Sequence, residues 1–463
     1  MNFRNRLYVF ATLMLMPILA GAGDGDLDPS FSVDGKVWHD WPASLVQVET
    51  TAVLALADGS VVTAGWADNG SNNRDFAIAK FTSGGVLDAG FGNAGSLIVS
   101  FDVVAGGDDR AFGIFQVAGN KLLVVGSADV GAPAYRRPAM LRLTSNGQPD
   151  ATFGAGGKRV VATQPLGPGA SMNFKVAKRA PDGKLLVAGY CQNCGFGGPP
   201  DFVALRLLPE GDVDSTFGNL GWVNFGRFNT NNQWLNEQVN DIAVDDMGRV
   251  VLAGTSTLDS DPNEQVRPLL VRFTAAGQLD TTFNTTGFFE IDLLGSWGAS
   301  AIALDSVTQG SIIALNLVNP GVATPAAVLM RLSSSGNVNG SFGVNGQLDL
   351  TREEGTHIDA LVVRADRRIM AAGWIDPTGT GQRDFFLARS LAAGDLDNSF
   401  DGNGVQRVAF DIVTNASDQA NAMTLSDERA VVAGTIFAPH TNVRYATGVL
   451  RLQSPLLFKS DFD

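Results

Sequence analysis

Apolar residues in this chain come in short runs of four to six positions, each bounded by turn-forming residues. Phe76-Ala-Ile-Ala-Lys-Phe81 and Val203-Ala-Leu-Arg-Leu207 are typical. Runs of this length between Gly, Asp and Asn predict β-strands. From residue 23 onward no stretch shows the 3.6-residue apolar period of a helix. Many runs pair across a tight turn. Asp58-Gly-Ser-Val-Val-Thr-Ala-Gly65 matches Asp182-Gly-Lys-Leu-Leu-Val-Ala-Gly189 and Met247-Gly-Arg-Val-Val-Leu-Ala-Gly254. Asp-Gly between apolar runs predicts a type I′ hairpin, because that turn needs positive φ. In the fifth unit Asn316 replaces the trailing Gly, and Asn tolerates the left-handed region well. Asp366-Arg367 and Asp427-Glu428 replace Asp-Gly later, which predicts less regular hairpins.

The runs recur with a fixed period. A Leu-Asp-x-x-Phe phrase ends at Phe31, Phe91, Phe153, Phe217, Phe283, Phe342 and Phe400, at spacings of 60, 62, 64, 66, 59 and 58 residues. Eleven residues before each later Phe stands a cation: Lys80, Arg142, Arg206, Arg272, Arg331 and Arg389. Arg451 holds that place in the last unit. Another short run follows each Phe, such as Gly35-Lys-Val-Trp38 and Gly95-Ser-Leu-Ile98. Four strands in each of seven units predict an all-β fold, a seven-bladed β-propeller of four-stranded antiparallel blades. The count closes on itself. The last unit lacks its own corner phrase, and Leu27–Phe31 has no strand before it. An open β-solenoid is the alternative, but it needs polar caps at both ends, and neither end carries one.

The unit resembles the delta-60 repeat of bacterial exported proteins, a β-propeller-like repeat with the pattern Leu-Asp-x-x-Phe-Gly-x-x-Gly-x-Val. The likeness runs from Leu27 to Leu452. Asn339 departs from it at the Asp, and Asn284 and Asp401 at the Gly after Phe. It implies a propeller-like fold and an exported protein, and brings no catalytic residues.

The repeated residues read as structural. Each Phe is expected to plug the space between blades, where loss of the ring costs ~3–5 kcal/mol. The cation and the Asp stand eight residues apart, which predicts one ion pair per corner. The pairs are Lys80–Asp88, Arg142–Asp150, Arg206–Asp214, Arg272–Asp280 and Arg389–Asp397. A ring of cations lining a central channel and binding an anion is the alternative. It would be costly without counter-charges.

The N-terminus reads as a signal peptide over residues 1–22. Arg4 and Arg6 precede an apolar run from Leu7 to Leu19, and Ala20-Gly21-Ala22 offers a cleavage site. A single repeat domain then spans 23–455, with a tail at 456–463. Loss of Arg4 and Arg6 takes the formal charge from −14 to −16. An acidic chain with no basic cluster argues against nucleic acid. No later segment is long and apolar enough to span a bilayer. The expected location is secreted or at the cell surface, with the periplasm as a variant, and the expected state is a monomer. In an exported protein Cys191 and Cys194 predict a local disulfide. Zinc is not expected, because a closed site needs four ligands and no second Cys or His pair lies at ligand spacing. Asp24-Gly-Asp-Leu-Asp28 begins like a calcium loop, but Pro29 stands where Gly is needed. No cofactor is implied.

Strand parity sorts the loops. The Asp-Gly hairpin and the Phe corner share one regular face. The other connections, such as His39–Thr50, Phe225–Glu237 and Phe437–Arg444, are long and unequal and share the opposite face. Function concentrates on variable loops over a rigid scaffold. Trp41, Trp66, Tyr190, Trp234, Trp297 and Trp374 are the candidate ligand-binding residues there. His39, His357 and His440 read as surface or satisfied loop residues. No nucleophile elbow, P-loop or metalloprotease motif occurs, and no catalytic residue is assigned. The leading expectation is a binding or scaffold module for a glycan, peptide or surface ligand. The alternatives are a polysaccharide hydrolase or lyase and a purely structural surface module. An enzyme requires titratable groups converging in a pocket with shifted pKa values.

Overall fold

The computed structural model describes residues 25–453, apart from 43, 71–72, 132–135, 162–169, 195–199, 229–233, 259–265, 292–296, 318–325, 351–354, 411, 414–415 and 441–442. The expected signal segment and tail lie outside the described residues.

The described strands form seven successive antiparallel sets of four, each running from the axis outward. Sheet I comprises Gln47–Ala55, Val61–Asp68, Arg74–Phe81 and Ser96–Val99. The innermost strands of sheets II to VII are Arg110–Val117, Ser171–Arg179, Leu235–Val244, Trp297–Leu304, Thr356–Val363 and Gln419–Ser426. Each innermost strand packs against the innermost strand of the next sheet, and that of sheet VII packs against that of sheet I. The sets therefore close into a ring. Sheets II and III are joined further by one strand pair, Met172 opposite Arg136.

Sheet VII is completed from the other end of the chain. Its outermost strand is Lys36–His39, paired with Val443–Arg451 so that Lys36 faces Leu450 and His39 faces Thr447. Leu27 bridges to Leu452. The orphan corner at the N-terminus thus supplies the element that the last unit lacks.

The core is divided into seven wedges, one between each pair of neighbouring sheets. Every wedge contains one corner phenylalanine, and each of the seven is at most 1% exposed. The corner holds it by a repeated bond set. Asp150 Oδ1 accepts from Thr152 N (3.1 Å) and Oγ1 (2.7 Å), while Oδ2 accepts from Arg142 Nε (2.7 Å). Arg206–Asp214, Arg272–Asp280, Arg389–Asp397 and Arg451–Asp28 repeat the last contact at 2.8 Å. Lys80 reaches Asp88 at 2.9 Å. The cations lie at corners rather than in the channel, and the Arg206 guanidinium sits 4.3 Å from the Phe217 ring centroid. Several corner carboxylates are gripped by a second cation from the neighbouring hairpin: Lys121, Lys184, Arg368 and Arg429 reach Asp150, Asp214, Asp397 and Asp28.

The hairpins correct two expectations. At Asp58-Gly59 only Gly59 has positive φ (79°), and Gly59 N donates to Leu56 O (2.9 Å). That is a type I turn followed by a left-handed Gly, which matches strand twist as a bulge rather than as type I′. The two-residue turn with positive φ at both positions is instead Asp427 (47°) and Glu428 (63°), a hairpin without glycine. The trailing glycines have a different purpose. A Cβ at Gly65 would lie 1.8 Å from Glu49 O, so the facing strand approaches too closely for any side chain. The register places Leu315, not Asn316, at that position of sheet V.

Candidate functional site

Each innermost strand carries a β-bulge at the same level, at Thr51, Phe112, Lys175, Asn240, Ser300, Asp359 and Asn421. A bulge re-aims one side chain. Here the six polar bulge residues, together with Phe112, which also packs into the wedge between sheets II and III, line a cavity of about 590 Å³ opening to the variable face. Four of them stitch the ring together. Thr51 Oγ1 donates to Ala111 O (2.8 Å), Asn240 Nδ2 to Ala299 O (2.9 Å), Ser300 Oγ to Ile358 O (2.6 Å) and Asn421 Nδ2 to Thr50 O (2.8 Å). Each acceptor is the residue just before the bulge in the next sheet. A second cavity of about 480 Å³ continues toward the regular face and shares six bulge residues, so the bulge layer is the waist of an axial channel.

Two residues before the bulge, Glu49, Arg110, Asn173, Gly298 and His357 line the mouth. Trp66, Thr255 and Asn316 join them from the second strands. Burial raises the Glu49 carboxyl above its ordinary range; Arg110 and Arg74 oppose this, and Asp359 adds to it. Lys175 stands in the channel with its ammonium depressed by the enclosing walls, and its Nζ donates to Asn240 Oδ1 (3.0 Å). His357 Nδ1 lies 3.2 Å from Asp359 Oδ2. Its ring stacks on Trp374 with centroids 4.8 Å apart and an interplanar angle of 5°. Asn316 is fixed by donating to Ile358 O (2.8 Å) and accepting from Ile358 N (3.0 Å).

The aromatic candidates separate. Trp66 forms part of the funnel wall, buried beneath the Arg74 (4.8 Å) and Arg110 (5.6 Å) guanidiniums. Trp374 is buried behind His357, with the Arg383 guanidinium 3.8 Å from its ring. Tyr190 backs Asn173, whose Nδ2 donates to its hydroxyl (2.6 Å). Trp41 is buried in the wedge between sheets VII and I, its Nε1 donating to Thr447 Oγ1 (3.0 Å). Trp234 pairs with Phe228 at 3.7 Å, and half-buried Trp297 packs at the wedge between sheets IV and V. These three do not line the funnel.

His357 belongs to the funnel rather than to a loop. His39 is enclosed against Trp41, and burial lowers its pKa to about 4. The His440 side chain lies outside the described residues. Cys191 and Cys194 are joined as a disulfide, with Cα atoms 5.8 Å apart. Among the described residues no group of three or more His, Cys, Asp or Glu is placed to hold a metal ion, and no helix is long and apolar enough to cross a membrane.

The polar bulge residues were absent from the sequence-based list of candidates. Their signal was a polar residue seven positions before the hairpin turn, as Thr51 stands to Asp58, Lys175 to Asp182 and Asp359 to Asp366.

Residues 56–91, 120–153, 180–217, 248–283 and 364–400 match the family described as "Domain of unknown function (DUF5122) beta-propeller". The chain is a β-propeller repeat protein. Each match runs from a hairpin to a plug phenylalanine, the two landmarks that fix a blade. Polysaccharide lyase Uly1 shares the fold with a TM-score of 0.50 at 10% identity, over 87% of this chain and 89% of that one. The β-propeller domain of the Trilobed protease from Pyrococcus furiosus gives 0.43 at 9% identity, over 91% and 94%. Trypanosoma rangeli sialidase gives 0.42 at 12% identity, over 92% of this chain and 59% of the sialidase. At such identities the likeness is one of architecture. No curated protein matches the chain by sequence.

Proposed function

We propose that this propeller is an exported protein that binds a carbohydrate in the axial funnel of its variable-loop face. The observation that carries the reading is the lining. Asn173, Asn240, Asn316 and Asn421, with Thr51, Thr255 and Ser300, converge there from five of the seven blades. Carboxamides present a donor and an acceptor on one rigid group, which suits the paired donor and acceptor of a sugar hydroxyl. The lining combines these polar groups with apolar surface from Trp66, Phe112 and Phe174, a mixture that suits the hydroxyls and the C–H faces of a sugar ring. Arg110, Lys175, Glu49 and Asp359 add both charge signs, so a charged sugar is accommodated as readily as a neutral one.

Catalysis on the same ligand is the second reading, favoured by a specific cluster. Glu49 holds its proton above the ordinary range and interacts with Asp359, which in turn orients His357. A carboxyl whose pKa burial raises, within electrostatic reach of a second carboxyl group, is the kind of pairing that acid–base cleavage of a glycosidic bond uses.

A glycan array with the intact protein tests the first reading, followed by calorimetry on the retained class. Lys175→Ala and His357→Ala should each weaken binding about tenfold or more. No retained glycan, or unchanged binding in both variants, overturns it. Incubation of the retained glycan with parent and Glu49→Gln protein separates the readings. Products formed only by the parent mark an enzyme, and intact glycan with both marks a binding module.

A further inference from the structure

The seven corners on the regular face serve as controls for one another, and one of them is built differently. In the fifth unit Asn339 stands where the others have Asp. The backbone of that corner is unchanged: Asn339 N donates to Arg331 O (2.8 Å) and Phe342 N to Asn339 O (3.1 Å), as at Asp150 and Asp280. The carboxamide oxygen also keeps its usual role, accepting from Ser341 N (3.2 Å) and Oγ (2.7 Å). A backbone N–H fixes which end of the amide faces it. Nδ2 is therefore turned to the side where Oδ2 accepts from the Arg Nε at other corners. A donor has replaced the acceptor.

Arg331 keeps its Nη1 bond to the next blade, at Ala392 O (2.8 Å), as Arg206 and Arg272 keep theirs to Ala275 O and Ser334 O, but it shifts away from the corner side chain. Its guanidinium lies 6.0 Å from the Phe342 ring centroid, against 4.3 to 5.0 Å for the other corner arginines. Its Nη2 bonds Asp305 Oδ2 and Thr308 Oγ1 (3.1 Å) instead, and its Nε has no acceptor among the described residues. Arg367, from the next hairpin, donates to the same Asp305 oxygen through Nε (3.1 Å) and Nη2 (2.8 Å). Two guanidiniums thus share one carboxylate. Between them and Asn339 lies a cavity of about 330 Å³.

We propose that this corner is an anion site for a phosphate or sulfate group, which takes the place of the missing aspartate. Arg331 Nε, Asn339 Nδ2 and Arg367 supply convergent donors and one net positive charge. Such donors favour a multiply charged oxyanion. The site lies on the face opposite the funnel, so its occupancy is independent of carbohydrate binding there.

The test is calorimetry on the full chain with inorganic phosphate, inorganic sulfate and an O-sulfated disaccharide as separate probes. One probe per chain is expected, and Asn339→Asp should weaken binding at least about tenfold, because it restores the carboxylate that the anion replaces. That variant copies the other corners, and its thermal unfolding midpoint should equal or exceed that of the parent. Binding of the ions assigns a free anion, and binding of the ester alone assigns a sulfated sugar. No binding of any probe, or equal binding by parent and Asn339→Asp protein, overturns the proposal.

Discussion

Arg451 Nε donates to Asp28 Oδ2 at 2.8 Å, joining two buried residues 423 positions apart. The same guanidinium reaches Ser30 Oγ (3.0 Å) and Gly59 O (3.3 Å), so one side chain ties both chain ends to blade I. Arg451→Ala leaves Asp28 with Arg429 at 3.3 Å as its remaining cation. Breaking a buried pair from one side costs roughly 3–5 kcal/mol. Lys80→Ala, at the partly exposed Asp88 corner, should cost about 1 kcal/mol or less. Urea unfolding of both variants measures the difference, and equal losses would deny the closing corner any special weight.

The belt of bulge residues yields a second expectation. Asn421→Ala removes the bond to Thr50 O and leaves that carbonyl unpaired at the seam between blades VII and I. An unsatisfied buried acceptor costs about 1–3 kcal/mol. Phe112 lies at the same level and cannot donate, so Phe112→Leu should lose packing alone, about 1 kcal/mol. A smaller effect at Asn421 than at Phe112 would mean that the belt adds nothing to ring stability.

The corners were legible because their contacts are local: a cation and an Asp eight residues apart meet wherever the backbone repeats. Ring closure was legible by counting, since Leu27–Phe31 lacked a strand and the last blade lacked a corner. The second cation at several corners was not, because Lys121, Lys184 and Arg368 come from a hairpin at another offset. The funnel was hidden by the bulges. A one-residue slip reverses which face a side chain takes, so strict alternation assigns Lys175, Asn240 and Asp359 to the wrong side. The aromatics misled for a related reason. A Trp near a strand end faces either the wedge, as Trp41 does, or the axis, as Trp66 does, and its position along the sequence does not distinguish the two.

Gly65 tests the reason for the trailing glycine. Its φ is ordinary, so Ala introduces no backbone strain there. The added Cβ would meet Glu49 O at 1.8 Å and force the two strands apart at the bulge. Overpacking of this kind costs roughly 1–3 kcal/mol. Gly65→Ala should therefore lower stability and also displace Glu49 at the funnel mouth, weakening ligand binding. Gly156→Ala, where no atom stands within 4 Å of the new Cβ, carries a positive φ of 62° and should cost only about 1 kcal/mol without touching the funnel. Loss of ligand binding in both variants would separate the effect from Glu49.

Glu237 gives the chain a stability term that runs against the usual acid trend. Its side chain is fully buried, with Oε1 accepting from Arg227 Nε (2.7 Å) and Oε2 unpaired among the described residues. Burial raises its pKa to about 7; Arg227 lowers it, and Asp201 and Glu290 raise it further. Unfolding returns it to about 4.3. The folded state thus binds the proton more tightly, so the contribution is fully present below about pH 4 and is lost as pH rises through 7. Asp305, lowered to about 2, acts in the opposite sense, and its contribution is lost only as pH falls below about 4. Glu237→Gln keeps an acceptor for Arg227 and cannot titrate. The stability of the parent minus that of Glu237→Gln should therefore fall steadily between pH 5 and 7 and level off above, which cancels His39 and every corner carboxylate. Urea unfolding at unit pH steps measures that difference. Parallel curves for the two proteins would place the proton elsewhere.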